Sequence, residues 1–230
     1  MLRLKTLDIV ESREALLSLP KGKKMINTIN AHSYNTALND ALFAESLKKC
    51  DALVPDGASI VKACKLLKSK SQPIERIAGW DLFILEMDRL NVSGGGVCFF
   101  MGSTNEVLSL IKERVSKEYP NIEVKTYSPP YKPQFSDEDN AIIISQINQA
   151  KPNLLWIGMT APKQEKWIYE NWNKLDIDCH VGAIGAVFDF YAGTVKRAPI
   201  WWQKHSLEWL YRLLKEPKPY ITECVTIRII

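Results

Sequence analysis

The chain lacks the features that mark a secreted, metal-bound or membrane-spanning protein. Its five cysteines (Cys50, Cys64, Cys98, Cys179, Cys224) are scattered over 230 residues with no CxxC pair. That spacing argues against a zinc site and a disulfide framework, fits a reducing cytosol, and makes each cysteine a buried thiol by default. The three histidines, His32, His180 and His205, show no ligand spacing, so no metal is assigned. The opening Met1-Leu-Arg-Leu-Lys-Thr-Leu-Asp8 is broken by charge too often for a signal-peptide core. No window approaches the roughly 20 apolar residues of a membrane span. There is no repeat, no low-complexity run, no GxGxxG fingerprint and no P-loop lysine motif.

What is present is an average globular composition, 46% apolar and 24% charged, with an uneven charge distribution. Seven Lys/Arg and three Glu fall between Lys196 and Ile230, which leaves residues 1–195 with 23 charges of each sign. Three of the seven tryptophans (Trp201, Trp202, Trp209) lie in the same tail. The chain therefore divides into a neutral body, residues 1–195, and a basic, Trp-rich appendage, residues 196–230. Such a tail suits an anionic, partly apolar partner. On a helix from Ile200 to Lys215, Lys204, Glu208, Arg212 and Lys215 share one stripe. Trp202, Trp209, Leu210, Leu213 and Leu214 lie opposite.

Hydrophobic periodicity predicts strands at Met25–Asn30, Ala52–Val54, Val97–Met101, Ile122–Tyr127, Asn153–Ile157 and His180–Gly182. It predicts helices at Thr36–Lys49 (capped by Asn35 or Thr36), Ser59–Leu67, Asp81–Leu90, Asn105–Tyr119, Asp137–Ala150 and Pro162–Asn173. Strands alternating with helices imply a Rossmann-related α/β fold, a mostly parallel sheet with helices on both faces. Such sheets bind ligands beyond the carboxyl ends of their strands. Residues just after a strand are therefore the candidates.

Three loops meet that test. In Thr28-Ile-Asn30, alternation puts both polar side chains on one side, unless Asn30 simply ends the strand. In Val54-Pro-Asp56-Gly57, Asp56 is either the cap of the next helix or a general base for a hydroxyl in the crevice. In Gly158-Met-Thr-Ala-Pro-Lys163-Gln164-Glu165, a small-residue turn meets a helix N-terminus, with Lys163 adding charge, and forms a plausible anion site. Gly102-Ser103-Thr104 repeats the arrangement one strand earlier, which points to a nucleotide or diphosphate ligand. Gly94-Gly-Gly96 precedes its strand and reads as a turn. Asp137-Glu-Asp139 follows Ser136 and reads as a helix start rather than a metal triplet.

Taken together, the motifs resemble one family, the WecG/TagA/CpsF glycosyltransferases (glycosyltransferase family 26). They are Thr28-Ile-Asn30, Val54-Pro-Asp56-Gly57, Arg76-Ile-Ala-Gly79-Trp-Asp81-Leu, Phe100-Met-Gly102-Ser103 and Pro162-Lys-Gln164-Glu165. Gly182-Ala-Ile-Gly185-Ala-Val-Phe-Asp189-Phe and the run from Arg197-Ala-Pro199 through Leu207-Glu208-Trp209-Leu-Tyr-Arg212-Leu complete the set, in family order. The resemblance implies an inverting bacterial enzyme. It would move an N-acetylmannosamine-type or glucose-type sugar from a UDP-sugar to a sugar on undecaprenyl diphosphate, for surface polysaccharide or teichoic acid synthesis. No cofactor and no divalent ion is expected. The partner is the inner face of the cytoplasmic membrane, not nucleic acid, and a homo-oligomer is left open. Asp56 becomes the expected base, with Thr28 beside it as a catalytic residue, while Asn30 and Gln164 face the sugars. The N–H groups near Gly102 and Ser103, with Lys163, Arg197 and Arg212, are expected to stabilise the leaving UDP. Asp189, placed after a strand around Val187, is expected to accept from uracil or ribose, or else to cap a turn. Arg76 and Gly185 join the substrate-binding set. After Pro217 the chain departs from the family's further Arg and Tyr-rich basic stretch. Two rivals remain: an oxidoreductase, which lacks its dinucleotide fingerprint, and a nucleic-acid binder, whose body should also be basic.

Overall fold

The computed structural model describes residues 2–199 together with Trp201, Trp202 and Tyr211. Six strands form one sheet: β1 (Lys24–Ile29), β2 (Ala52–Pro55), β3 (Gly96–Gly102), β4 (Ile122–Tyr127), β5 (Leu154–Gly158) and β6 (His180–Ala183). Their order is β2-β1-β6-β5-β3-β4, and every neighbouring pair is parallel. Both faces are covered, which is why the strands read as nearly unbroken apolar runs.

The helices are α1 (Arg13–Leu17), α2 (Ala31–Asn39), α3 (Ala41–Lys49), α4 (Ala58–Leu67), α5 (Gly79–Val92), α6 (Asn105–Glu118), α7 (Asp137–Ala150), α8 (Lys163–Asn171) and α9 (Gly185–Ala192). One face of the sheet packs Ile26, Val54, Phe100 and Trp156 against α5, α6 and α9. The other packs Phe99, Leu155, Ile157 and Val181 against α7 and α8. A third cluster joins α2, α3 and α4 to the N-terminal Leu2, Leu4, Leu7 and Ile9 around Ile29 and Leu53. It covers the β2 edge, where the Val10 N–H donates to the Leu53 carbonyl at 2.9 Å, removing an open strand edge.

Two sequence expectations need correction. The helix expected at Thr36–Lys49 is two helices. Asn30 caps the first through a reciprocal bond pair with Ser33, and Asp40 breaks the run, its carboxylate accepting from the Phe43 N–H at 3.0 Å. Short polar side chains that bond the local backbone favour caps over helix interiors. Val187 is not in a strand either: it lies inside α9. The reading of Asp137–Asp139 as a helix start holds, since Ser136 and Asp139 form a capping box on α7. In the tail, Trp201, Trp202 and Tyr211 are helical, with the Trp202 ring 5.7 Å from Tyr211. The rest of the expected tail helix, Arg212 included, lies outside the described residues.

Close approach limits substitution in the middle of the sheet. A Cβ at Gly182 on β6 would stand 2.1 Å from the Trp156 ring on β5. Trp156 is fully buried in the core and has nowhere to go. Gly182→Ala should cost about 1–3 kcal/mol through overpacking, measured as a lower urea midpoint at unchanged slope.

Candidate active site

In a parallel sheet every strand's carboxyl end meets the N-terminus of the helix that follows it. Here β1, β2 and β6 run into α2, α4 and α9 within two residues. At this rim β1 and β2 are in register, Ile29 opposite Pro55. The ladder continues one step further, because the Asp56 N–H donates to the Ile29 carbonyl at 2.9 Å. A Cβ at Gly57 would fall 3.2 Å from Asn30 Cβ, so the two loops touch. Gly57, not Asp56, is the cap residue of α4, and no side chain caps that helix. Asp56 is held from the other side. Arg76 donates from Nε to the Asp56 carbonyl at 2.9 Å and places Nη2 3.4 Å from Asp56 Oδ1. The next residue locks the clamp, since the Ile77 N–H donates to the Pro55 carbonyl at 2.9 Å. The Asp56 and Arg76 side chains keep 25% and 24% of their surface exposed, so solvent reaches the pair. Thr28 is half-buried one strand over. Two residues after Ile26, it points to the same face of the sheet.

The middle of the rim is braced by Gln164. Its Oε1 accepts from the Met159 N–H at 3.2 Å and from the Gly185 N–H at 3.0 Å, tying the β5–α8 loop to the first turn of α9. Its Nε2 donates to Glu165 Oε1 at 2.8 Å. Gln164 is buried and its amide is occupied by protein, so the structure sets it as a brace under the crevice floor. Gly185 has no room for a side chain, because a Cβ would meet the Met159 carbonyl at 2.0 Å. At the β3–β5 junction, the Ser103 N–H donates to the Gly158 carbonyl at 3.1 Å. Gly102, at φ 127°, is pressed against the same carbonyl. The Ser103 N–H is therefore spent inside the protein, not offered to a phosphate. Some first-turn N–H groups at this rim are spent as well, that of Ser33 on Asn30 Oδ1 and that of Gly185 on Gln164 Oε1.

The family model described as "Glycosyl transferase WecG/TagA/CpsF family" matches residues 2–227 of this chain. The chain belongs to that family. Among its curated relatives is a Bacillus subtilis protein named N-acetylglucosaminyldiphosphoundecaprenol N-acetyl-beta-D-mannosaminyltransferase. It is 31% identical over 193 residues, which are 84% of this chain and 72% of the relative. Proteins of the same name from Bacillus spizizenii (32% over 192 residues, 84% and 71% covered) and Staphylococcus aureus (31% over 194 residues, 84% and 72% covered) are similar.

Against this glycosyltransferase family, the remaining expected residues divide. Lys163 is held by the β4–α7 loop: its Nζ donates to the Lys132 carbonyl at 2.5 Å and lies 3.7 Å over the Phe135 ring. Partial burial pushes its pKa down. Asp189 sits inside α9, where its carbonyl accepts from Thr194 and Val195 and its carboxylate lies 3.5 Å from the Thr194 hydroxyl. Burial pushes its pKa up. Its observed contacts belong to the turn that ends α9. Arg197 lies over α5, its guanidinium 5.4 Å from the centre of the Trp80 ring. Sequence reasoning took Arg76 from its motif and passed over Trp80, four residues on, which receives Arg197. It also passed over Glu165. Among the described residues, no three His, Cys, Asp or Glu side chains converge as a metal-ligand set.

Glu165 is the costly group of this site. It is buried, burial raises its pKa from 4.5 to about 7, and its Oε2 has no partner. A raised carboxylate binds more protons folded than unfolded, so stability falls as pH climbs from about 4.5 to about 7. The loss is about 3 kcal/mol at most. Urea midpoints of the wild type should drop across that window, and those of Glu165→Gln should stay nearly level. Parallel curves would show that Glu165 ionises freely in the fold.

Proposed function

We propose that this chain transfers an N-acetylmannosamine-type sugar from a UDP-sugar to a sugar carried on undecaprenyl diphosphate, with inversion and without a resident metal. The observation that carries the reading is the Asp56–Arg76 pair on the open rim beside Asn30 and Thr28. The relatives' names, which give both the transferred sugar and the lipid-linked acceptor, support it.

In this reading the acceptor hydroxyl sits against the Asp56 carboxylate. As the hydroxyl oxygen attacks the anomeric carbon from the face opposite the leaving group, its proton passes to Asp56 and the bond to UDP breaks. Arg76 does two jobs. It fixes the carboxylate through the Asp56 main chain, and it holds positive charge near the developing diphosphate. Helix first-turn N–H groups and Arg197 add to that charge, which acts where it develops in the transition state. Thr28 and Asn30 orient the sugars, Asn30 through the part of its amide not used in capping α2. Gln164 and Gly185 shape the floor. Arg212 is assigned to the lipid diphosphate. The reaction takes place at the inner face of the cytoplasmic membrane, where the acceptor lipid lies. Among the described residues no helix is long and apolar enough to cross a membrane, so contact is peripheral in this reading.

The test is to incubate the protein with a panel of UDP-sugars and a synthetic GlcNAc-diphosphate lipid, then weigh the product. Mass gain of one N-acetylhexosamine, undiminished by EDTA, is expected. No product from any UDP-sugar contradicts the reading. Asp56→Asn should lower kcat by about 10²–10⁴-fold with little change in the melting temperature. Arg76→Lys, which cannot reach both the carbonyl and the carboxylate with a planar fork, should lower kcat by at least tenfold.

A further inference from the structure

The neutral charge total of residues 1–195 conceals a one-signed stretch. From Gly57 to Ile74 there is no Asp or Glu, while Lys62, Lys65, Lys68 and Lys70 all lie there. All four are exposed, together with Leu66, Leu67 and Ile74. Leu66 is 85% and Ile74 77% solvent-exposed, unusual for large aliphatics. On α4 the spacing puts Ser59, Lys62, Lys65 and Leu66 on the outward stripe, while Ile60 and Cys64 face the core. The N-terminal segment extends the patch: the Lys70 N–H donates to the Lys5 carbonyl at 2.9 Å, which brings exposed Lys5 alongside. Two acids lie at its margin. Asp8 pairs with Lys70 at 2.6 Å and offsets that lysine, leaving Lys62, Lys65 and Lys68 to carry the charge of the face, and Glu11 accepts from the Gln72 N–H.

We propose that the outer face of α4, with Leu66, Leu67 and Ile74, rests on an anionic lipid bilayer and sets the crevice at the level of the lipid-linked acceptor. The inference rests on the lipid-acceptor reading above. Lysines around exposed aliphatics match a surface that is anionic outside and apolar beneath. Continuity with the site supports the same occupant, because α4 starts two residues after Asp56. Its ten residues reach about 15 Å from there. The other occupants fit less well. A second copy would set lysine stripe against lysine stripe, and the chain's own tail is basic as well.

The test uses the full chain and vesicles free of acceptor lipid, made of phosphatidylcholine alone or with phosphatidylglycerol, scored by co-sedimentation. Lys62→Glu/Lys65→Glu/Lys68→Glu should weaken binding to the anionic vesicles at least tenfold. Leu66→Ser/Ile74→Ser should weaken it at least threefold. Both should keep the wild-type melting temperature and wild-type turnover on a short-chain, water-soluble acceptor. Unchanged vesicle binding in both variants overturns the proposal even if transfer is confirmed. A change in oligomeric mass with no change in vesicle binding also overturns it, in favour of a self-association face. Lost vesicle binding in a protein that transfers no sugar would leave the lipid face standing and remove the transfer reading.

Discussion

The chemistry proposed for this protein depends on one restraint, the extension of the β1–β2 ladder by a single residue. The Asp56 N–H bonds the Ile29 carbonyl, and Arg76 bonds the Asp56 carbonyl. With both main-chain groups fixed, the base of the side chain is fixed at the rim, and the carboxylate lies with Oδ1 3.4 Å from Arg76 Nη2. A carboxylate on a free loop would sample many positions and pay entropy to find the reactive one. Here that cost is met during folding, by backbone bonds that any residue but proline could make at this position. The side chain takes no part in those two bonds.

The rest of the rim is packed as tightly as the sheet beneath it. Gly102, Gly158, Gly182 and Gly185 occupy places where a methyl group would strike a neighbouring carbonyl or ring. Gln164 then ties two loops together with one oxygen. Holding that amide costs a buried carboxyl, because Glu165 is the partner that orients it. A polar group buried with half its bonding capacity unmet is destabilising. A site that tolerates one trades stability for position.

The sheet, its parallel sense and most helix limits were legible from the sequence because a doubly covered sheet forces apolar runs of fixed length. The α7 limits follow from Ser136 and Asp139 acting as a box. The α2–α3 break was not legible: the apolar spacing continues through Asp40, and only its bond to Phe43 shows that the helix restarts. Residues 185–192 were read around a strand because Gly-Ala-Val-Phe in a buried helix carries no polar face to reveal the period. Among candidate residues, Asp56, Asn30 and Arg76 lie together at the ends of β1 and β2. Lys163 does not, since side-chain direction at the first turn of a helix is set by neighbours such as Phe135 and Lys132, far away in sequence. The engagement of the Ser103 N–H with Gly158 was equally hidden, because it depends on strand order. Glu165 gave no signal, for an acid in a first helical turn is ordinarily a solvated one.

These arrangements reduce to a claim about one atom group: the Asp56 carboxylate, pinned through its backbone, receives the acceptor's proton. The most direct check is a structure of the protein with UDP and a short-chain lipid-diphosphate sugar bound. The account predicts the acceptor hydroxyl within about 2.6–3.2 Å of the Asp56 carboxylate, or joined to it through one water, with Arg76 still on the Asp56 carbonyl. An acceptor hydroxyl lying against some other base, out of reach of the Asp56 carboxylate, would contradict it.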